Sequence, residues 1–317
     1  MQKTNNNLQN FKVYIINLDK DIERMEFMTK QMQELDMEYE RAPAIYGKEY
    51  DFGNEYDEKL AIQKNGKALV LGELGCAKSH KLCYEKILNE DSSSNMGSIK
   101  ENKIESLNKI NKYYLILEDD VSLPRNFKEI IERQIELNEF QKNLKNKDIW
   151  NYLLFDYPRP GKFFIYHWVN SLFLNYKLLN KSNLYRKAKF IIYSFIKACY
   201  ILPMAIYEWL RDIYYRNNIY KKNKDGTSRG DSGKAVRFYR PLYLAGAYLI
   251  TNDTAKTLLK LNTPIIYPAD RVPDEARKQL GMKFYAYTPL CVYQKRESFG
   301  SSILGVKFIK EIPIKNI

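Results

Sequence analysis

Three acids in succession, Glu118, Asp119 and Asp120, end the uncharged run Tyr113 to Leu117. Such a run reads as a strand buried on both faces, in a sheet covered by helices. In an open α/β sheet ligands sit beyond the carboxyl ends of the strands, so the acids fall where a substrate is expected. Adjacent carboxylates repel one another, which is costly unless a cation or several donors compensate. Oxygen donors at a strand end suit Mg²⁺ or Mn²⁺ better than zinc. The plainer alternative is a solvated acidic turn capping the helix expected over Phe127 to Leu137, after the break at Leu123-Pro124. A further carboxylate, Asp270, ends a segment that begins at Ile265.

The elements that must hold these groups show in the spacing of apolar residues. Phe11 to Leu18 (FKVYIINL) is β-branched and bounded by polar residues, which predicts the first core strand. Asp19 or Asp21 can cap a helix in which Ile22, Met25, Met28, Met32 and Leu35 recur at helical spacing. Strand, short loop and helix open a nucleotide-binding α/β unit, but without a GxGxxG fingerprint no dinucleotide site is indicated. Asn17 at the strand end and Arg24 in the first helical turn can approach a base or a diphosphate, although a lone Arg on a helix is more often simply solvated. Tyr39 to Gly47 reads as a short strand and turn. After Gly72 a helix begins with Glu73 in its first turn, where an acid complements the helix dipole. Cys76, His80, Cys83 and Ile87 share one face, so His80 reads first as a buried, hydrogen-bonded core histidine and second as a site residue. Glu90 to Lys112 reads as a polar surface excursion. Asp148 to Asp156, Tyr243 to Thr251 and Tyr285 to Tyr293 read as further strands, with a short helix over Asp253 to Leu261.

The 317 residues are 45% apolar, with 26 Tyr and 15 Phe, as expected of a folded chain with a sizeable core. The net charge of +13 points to an anionic partner and is unevenly spread. Between Lys162 and Lys222 eleven basic side chains accompany only two acids, Glu208 and Asp212, with aromatic and aliphatic residues interleaved. Phe190 to Leu210 is almost long enough to span a bilayer, yet Lys197, Pro203 and Glu208 argue against it, because a central charge costs ~3 kcal/mol. Basic amphipathic helices lying on an anionic membrane surface fit better; a nucleic-acid partner or an ordinary helical subdomain are the alternatives. The chain is thus expected to divide into residues 1–161, a basic, largely helical insertion at 162–233, and residues 234–317, the two flanks forming one α/β domain. Cys76, Cys83, Cys199 and Cys291 lack CxxC spacing and only two histidines accompany them, which supports neither a zinc site nor a disulfide framework. Met1 to Asn10 is polar, so no secretory signal is expected and a reducing cytoplasm is the default.

Five stretches in order resemble glycosyltransferase family 25, the family of bacterial lipooligosaccharide galactosyltransferases and animal collagen galactosyltransferases. They are Ile15-Ile16-Asn17-Leu18 with Arg24, Gly72-Glu73-Leu74-Gly75-Cys76 with Ser79-His80, Leu117-Glu118-Asp119-Asp120, Ala247-Tyr248-Leu249-Ile250, and Pro268-Ala269-Asp270. The resemblance implies a GT-A type, Rossmann-like nucleotide-diphospho-sugar transferase core, with Glu118-Asp119-Asp120 as a DxD-type motif for Mn²⁺ or Mg²⁺. It also implies a UDP-sugar donor, commonly UDP-galactose, and transfer with inversion. The acceptor is then a lipid-linked lipooligosaccharide or lipopolysaccharide oligosaccharide. Asn17, Leu18, Arg24, Ser79, His80, Glu118 and Asp119 become the expected nucleotide-sugar contacts, with Asp120, Asp119 and Glu118 around the metal. Asp270 becomes the base that takes the acceptor hydroxyl's proton. Tyr248 and Gln294 become candidates for the sugar or acceptor pocket. A peripheral enzyme on the inner face of the cytoplasmic membrane, docked through Lys162 to Lys222 and binding no nucleic acid, completes the expectation. Two departures stand out: the insertion itself, and Arg271, where relatives often carry another acid. A nucleic-acid-binding protein and a catalytically silent membrane scaffold are the competing readings. The intact acid triplet and Asp270 speak against the second.

Overall fold

Strand β1 (Phe11–Asn17) pairs in parallel with β2 (Glu40–Pro43) on one side and with β3 (Tyr113–Glu118) on the other. This computed structural model describes residues 10–97, 113–145, 149–156, 233–238, 243–288 and 290–295, and of 91–97 the backbone alone. The chain divides into two units, Met1–Tyr157 with Lys234–Ile317, and Pro158–Gly233. The sheet belongs to the first; Lys162 to Lys222 lie outside the described residues.

The remaining strands are β4 (Val121–Ser122), β5 (Tyr152–Leu154), β6 (Lys234–Arg237), β7 (Ala247–Thr251), β8 (Phe284–Thr288) and β9 (Tyr293–Gln294). Seven of them form a mixed sheet in the order β2-β1-β3-β7-β5-β8-β6, and β4 and β9 form a separate antiparallel pair. The antiparallel strand β7 sits between β3 and β5. It therefore starts where they finish, and Ala247 lies opposite Leu117. The expected strand from Tyr243 begins only at Ala247, because Leu244 adopts a left-handed backbone (φ 88°) that extended structure cannot absorb. The expected strand over Tyr285 to Tyr293 is split, since β8 joins the main sheet while β9 leaves it to pair with β4.

Side chains alternate across the sheet and feed two cores. Tyr14, Ile16, Tyr114, Ile116, Tyr248 and Ile250 pack on one face. Val13, Ile15, Tyr113, Leu115, Leu117 and Leu249 pack on the other. Helix α1 (Ile22–Glu34), through Met28 and Met32, and helix α4 (Phe127–Asn143), through Phe127, Ile131 and Ile135, cover the second face. Helix α3 (Leu71–Gly97), α5 (Asn252–Leu261) and α6 (Val272–Leu280) cover the first, with Cys83, Tyr84, Ile87, Leu258 and Ala276. Each fully buried large side chain contributes ~1.5–3 kcal/mol. A smaller cluster of Phe52, Ala61, Leu69, Leu74 and Ile265 lies beneath α2 (Glu58–Asn65).

Helix α3 runs through Gly97, so the first part of the stretch expected as a surface excursion is helical. Glu90 anchors it there by accepting from Lys12 Nζ and the Tyr14 hydroxyl, both at 2.6 Å. No helix among the described residues is long and apolar enough to cross a membrane.

Candidate active site

Residues that alternate along β3 separate the first two acids. Ile116 belongs to the α3 face and Leu117 to the α1 face, so Glu118 turns toward α3 and Asp119 toward α1. Asp119 meets a prepared set of donors. Arg24 Nη1 donates to its Oδ1 at 3.0 Å, and Asn17 Nδ2 donates to its Oδ2 at 2.8 Å. Asn17 is oriented by Arg41, whose Nε donates to Asn17 Oδ1 at 2.9 Å. Burial pushes the Asp119 carboxyl up, against the pull of Arg24 and Asn17. Both Asp119 oxygens accept hydrogen bonds from the protein, so Asp119 anchors the turn to β1 and α1.

Glu118 enters a different network. Its Oε1 lies 3.3 Å from His80 Nε2 and 3.8 Å from the Cys76 thiol, and its Oε2 accepts from Gln294 Nε2 at 3.0 Å. The other nitrogen of His80, Nδ1, stands 2.7 Å from the Tyr248 hydroxyl, which is 3.0 Å from that of Tyr84. Burial first, then the charges of Glu118 and Asp270, push the Cys76 thiol well above its usual range. Two glycines set this helix in place. A Cβ on Gly75 would lie 2.6 Å from the Ile45 carbonyl oxygen, and one on Gly47 would lie 1.8 Å from that of Leu71. The close approach fixes the first turns of α3, and with them Cys76 and His80, against the end of β3.

Asp120 follows in the turn, with its Oδ2 3.8 Å from Arg24 Nη1 and its carbonyl accepting from the Lys295 amide at 2.7 Å. At the end of β5, Asp156 accepts from the amides of Gly246 (3.0 Å) and Ala247 (2.8 Å), tying the start of β7 to the same sheet edge. Burial, then the charge of Glu118, lifts Asp156 well above the usual carboxylate range, against those two amide bonds. Gly246 leaves the needed space: a Cβ there would lie 2.5 Å from Asp156 Oδ2 and 2.7 Å from Gln294 Nε2.

Asp270 arrives on the loop between α5 and α6. Asn262 shapes that loop, its Oδ1 accepting from the amides of Ile266 and Tyr267, both at 2.9 Å. Burial raises the Asp270 carboxyl; the Leu244 amide, 3.5 Å from its Oδ2, opposes this, while the charges of Glu118 and Glu73 add to it. Arg271 is the cap residue of α6. The Arg271 guanidinium turns instead to α2, donating to Asn65 Oδ1 at 3.0 Å and to the Lys64 carbonyl at 3.1 Å.

One edge of the sheet therefore gathers Asn17, Arg24, Glu118, Asp119, Asp120 and Gln294, while Asp270 meets the Leu244 amide just before β7. Leu18, half-buried, joins through its carbonyl, which accepts from the Asp21 amide. Two expected contacts are buried. Tyr248 is fully enclosed, stacked on Tyr152 and bonded to His80. Ser79 is buried too; its hydroxyl donates to the Gly75 carbonyl and accepts from the Ile45 amide, joining α3 to the loop after β2. Cys76, Asp156 and Gly246 were not expected in the site. Cys76 stands in one of the stretches that carry the resemblance and shares a helix face with His80, and Asp156 ends an apolar run.

Glu118 and Asp120 present hard oxygen donors at an edge otherwise charged mainly by acids, a set that fits Mg²⁺ or Mn²⁺. A family model described as glycosyltransferase family 25 (LPS biosynthesis protein) matches residues 10–272. No curated protein matches the chain.

Proposed function

The chain belongs to glycosyltransferase family 25, and from that membership together with the acidic sheet edge we propose an inverting, metal-dependent transfer from a UDP-sugar, by preference UDP-galactose. The family is described by lipopolysaccharide biosynthesis, and the mixed seven-stranded sheet with its helices is consistent with a Rossmann-like glycosyltransferase fold. In our reading the core is of the GT-A type, and the acceptor is a lipid-linked lipooligosaccharide or lipopolysaccharide oligosaccharide.

The observation that carries this reading is the placing of Glu118 and Asp120 at the end of β3, where Gln294 donates to Glu118 and the Lys295 amide to the Asp120 carbonyl. Asp120 and Glu118 are the residues that would hold Mn²⁺ or Mg²⁺. When bound, that ion supplies positive charge against the departing diphosphate. Arg24 and Asn17 keep Asp119, and so the turn carrying Asp120, in a fixed geometry, which spares reorganisation during the reaction. Asp270 takes the proton from the acceptor hydroxyl as that oxygen attacks the far face of the sugar carbon. Its raised proton affinity is a shift in the direction that favours a general base.

Assaying the purified protein against a panel of UDP-sugars, with Mn²⁺ and with a chelator, tests the proposal. Sugar release or transfer from UDP-galactose that requires the metal is expected. Activity undiminished by the chelator, or none with any UDP-sugar, would overturn it. We further propose that Lys162 to Lys222 dock the enzyme on the anionic inner face of the cytoplasmic membrane, supported by the basic and aromatic make-up of that segment. Co-sedimentation with anionic liposomes at low salt, weakened at high salt, is the expected result; no binding at low salt would refute it.

A further inference from the structure

Cys76 and His80 stand one turn apart on α3, and Glu118 reaches them from the end of β3. Cys76 Sγ, His80 Nε2 and Glu118 Oε1 all lie within 4.8 Å of one another. We propose that these three side chains form a second metal site, one that takes a thiophilic divalent ion of the Zn²⁺ class. Its ligand chemistry differs from that of the hard-oxygen site at Asp120 and Glu118.

The spacing is close to what such an ion requires. With Zn–N and Zn–O bonds of ~2.0 Å and a Zn–S bond of ~2.3 Å, tetrahedral N and O ligands stand ~3.3 Å apart and S and O ligands ~3.5 Å apart. The observed separations are 3.3 Å for His80 Nε2 to Glu118 Oε1 and 3.8 Å for Cys76 Sγ to Glu118 Oε1. The two distances to Glu118 are thus within a few tenths of an ångström of the tetrahedral values, with Cys76 Sγ and His80 Nε2 within 4.8 Å of each other, and three protein ligands leave a fourth position for water or substrate oxygen.

The support behind His80 suits a ligand as well. A metal-bound histidine donates its other ring N–H to an acceptor that fixes ring and tautomer. The Tyr248 hydroxyl lies 2.7 Å from Nδ1 and has Tyr84 3.0 Å beyond it. Hydroxyls both donate and accept, so this pair serves His80 whether Nε2 holds a proton toward Glu118 or a metal. A thiolate ligand selects Zn²⁺, Cd²⁺ or Co²⁺ over Mg²⁺ and Mn²⁺. The spacing of cysteines and histidines in the sequence does not show this site, because its third ligand comes from a strand. An ion here takes Glu118 away from the donor site and so inhibits transfer; that consequence rests on the proposed function, whereas the binding does not.

Titrating the full-length protein with Co²⁺ tests the site through the thiolate-to-metal charge-transfer absorption. One equivalent should develop the band and Zn²⁺ should displace it. Cys76→Ala should abolish it, and His80→Gln should weaken binding by 10-fold or more. No band in the wild-type protein, or a band that persists in Cys76→Ala and so belongs to Cys83, Cys199 or Cys291, would overturn the proposal. Should the variants fail to fold, alkylation of the wild-type protein decides. Zn²⁺ should protect Cys76 in peptide mapping, and unchanged alkylation of Cys76 would count against the site. Failure of Mn²⁺-dependent UDP binding would leave these measurements unaffected, so the two proposals fail separately.

Discussion

Arg24 Nη1 lies 3.0 Å from Asp119 Oδ1, with the two side chains only 10% and 9% exposed. This ion pair joins the first helix to the turn after the central strand and separates the roles of three neighbouring acids. Removing one partner of such a pair leaves a buried charge uncompensated, at a cost of ~3–5 kcal/mol. Arg24→Ala should therefore lower stability by about that much in chemical denaturation. Combining it with Asp119→Asn should cost clearly less than the sum of the two single changes. Additive losses would show that the pair is not coupled.

Gly246→Ala should damage both fold and activity. The added Cβ meets Asp156 Oδ2 at 2.5 Å and Gln294 Nε2 at 2.7 Å, and overpacking of this kind costs ~1–3 kcal/mol. Because Gln294 also holds Glu118, turnover should fall with stability. A variant with unchanged melting temperature and rate would mean that the sheet edge yields freely.

Tyr248→Phe deletes the hydroxyl that serves both His80 and Tyr84. A buried ring nitrogen left without its partner costs ~1–3 kcal/mol. The melting temperature and kcat should drop while the donor KM stays close to wild type. A raised KM with unaltered stability would instead place Tyr248 against the substrate.

As the proposed base, Asp270 would link rate to pH. Its carboxyl must be ionised to accept a proton, and burial raises its proton affinity above the ordinary 3.8. Activity should thus fall as pH drops through that raised value. Stability runs the other way: the contribution of a raised carboxyl is complete below its unfolded pKa and is lost as pH rises through the folded one. Asp270→Asn should therefore gain stability relative to wild type as pH rises, while turnover falls by roughly 10²-fold or more. Wild-type turnover in that variant would assign the base elsewhere.

The first strands and helices of the core were legible because each is built from a local pattern. Phe11 to Leu18 and Tyr113 to Leu117 are uninterrupted enough to be read as core strands, and Met28 and Met32 mark the buried side of α1. What escaped depends on pairings between distant residues. The antiparallel register of Leu117 with Ala247 brings β7 between β3 and β5, and nothing local to either strand announces it. Tyr248 has a polar tip that suits a pocket, yet its neighbours Tyr152 and His80 make it interior. Ser79 sits in a recognisable motif, but its bond to the Ile45 amide appears only when α3 meets the loop after β2. The division of labour between Glu118 and Asp119 likewise needs the two faces of the sheet, since as a sequence the acids look equivalent.

The central claim is that Asp120 holds the divalent ion at which a UDP-sugar is bound. Calorimetric titration of UDP into the wild-type protein and into Asp120→Ala, each with and without Mn²⁺, tests it most directly. The account predicts Mn²⁺-dependent UDP binding in the wild type and its loss in a variant that keeps its fold. Mn²⁺-dependent UDP affinity unchanged in Asp120→Ala would contradict it.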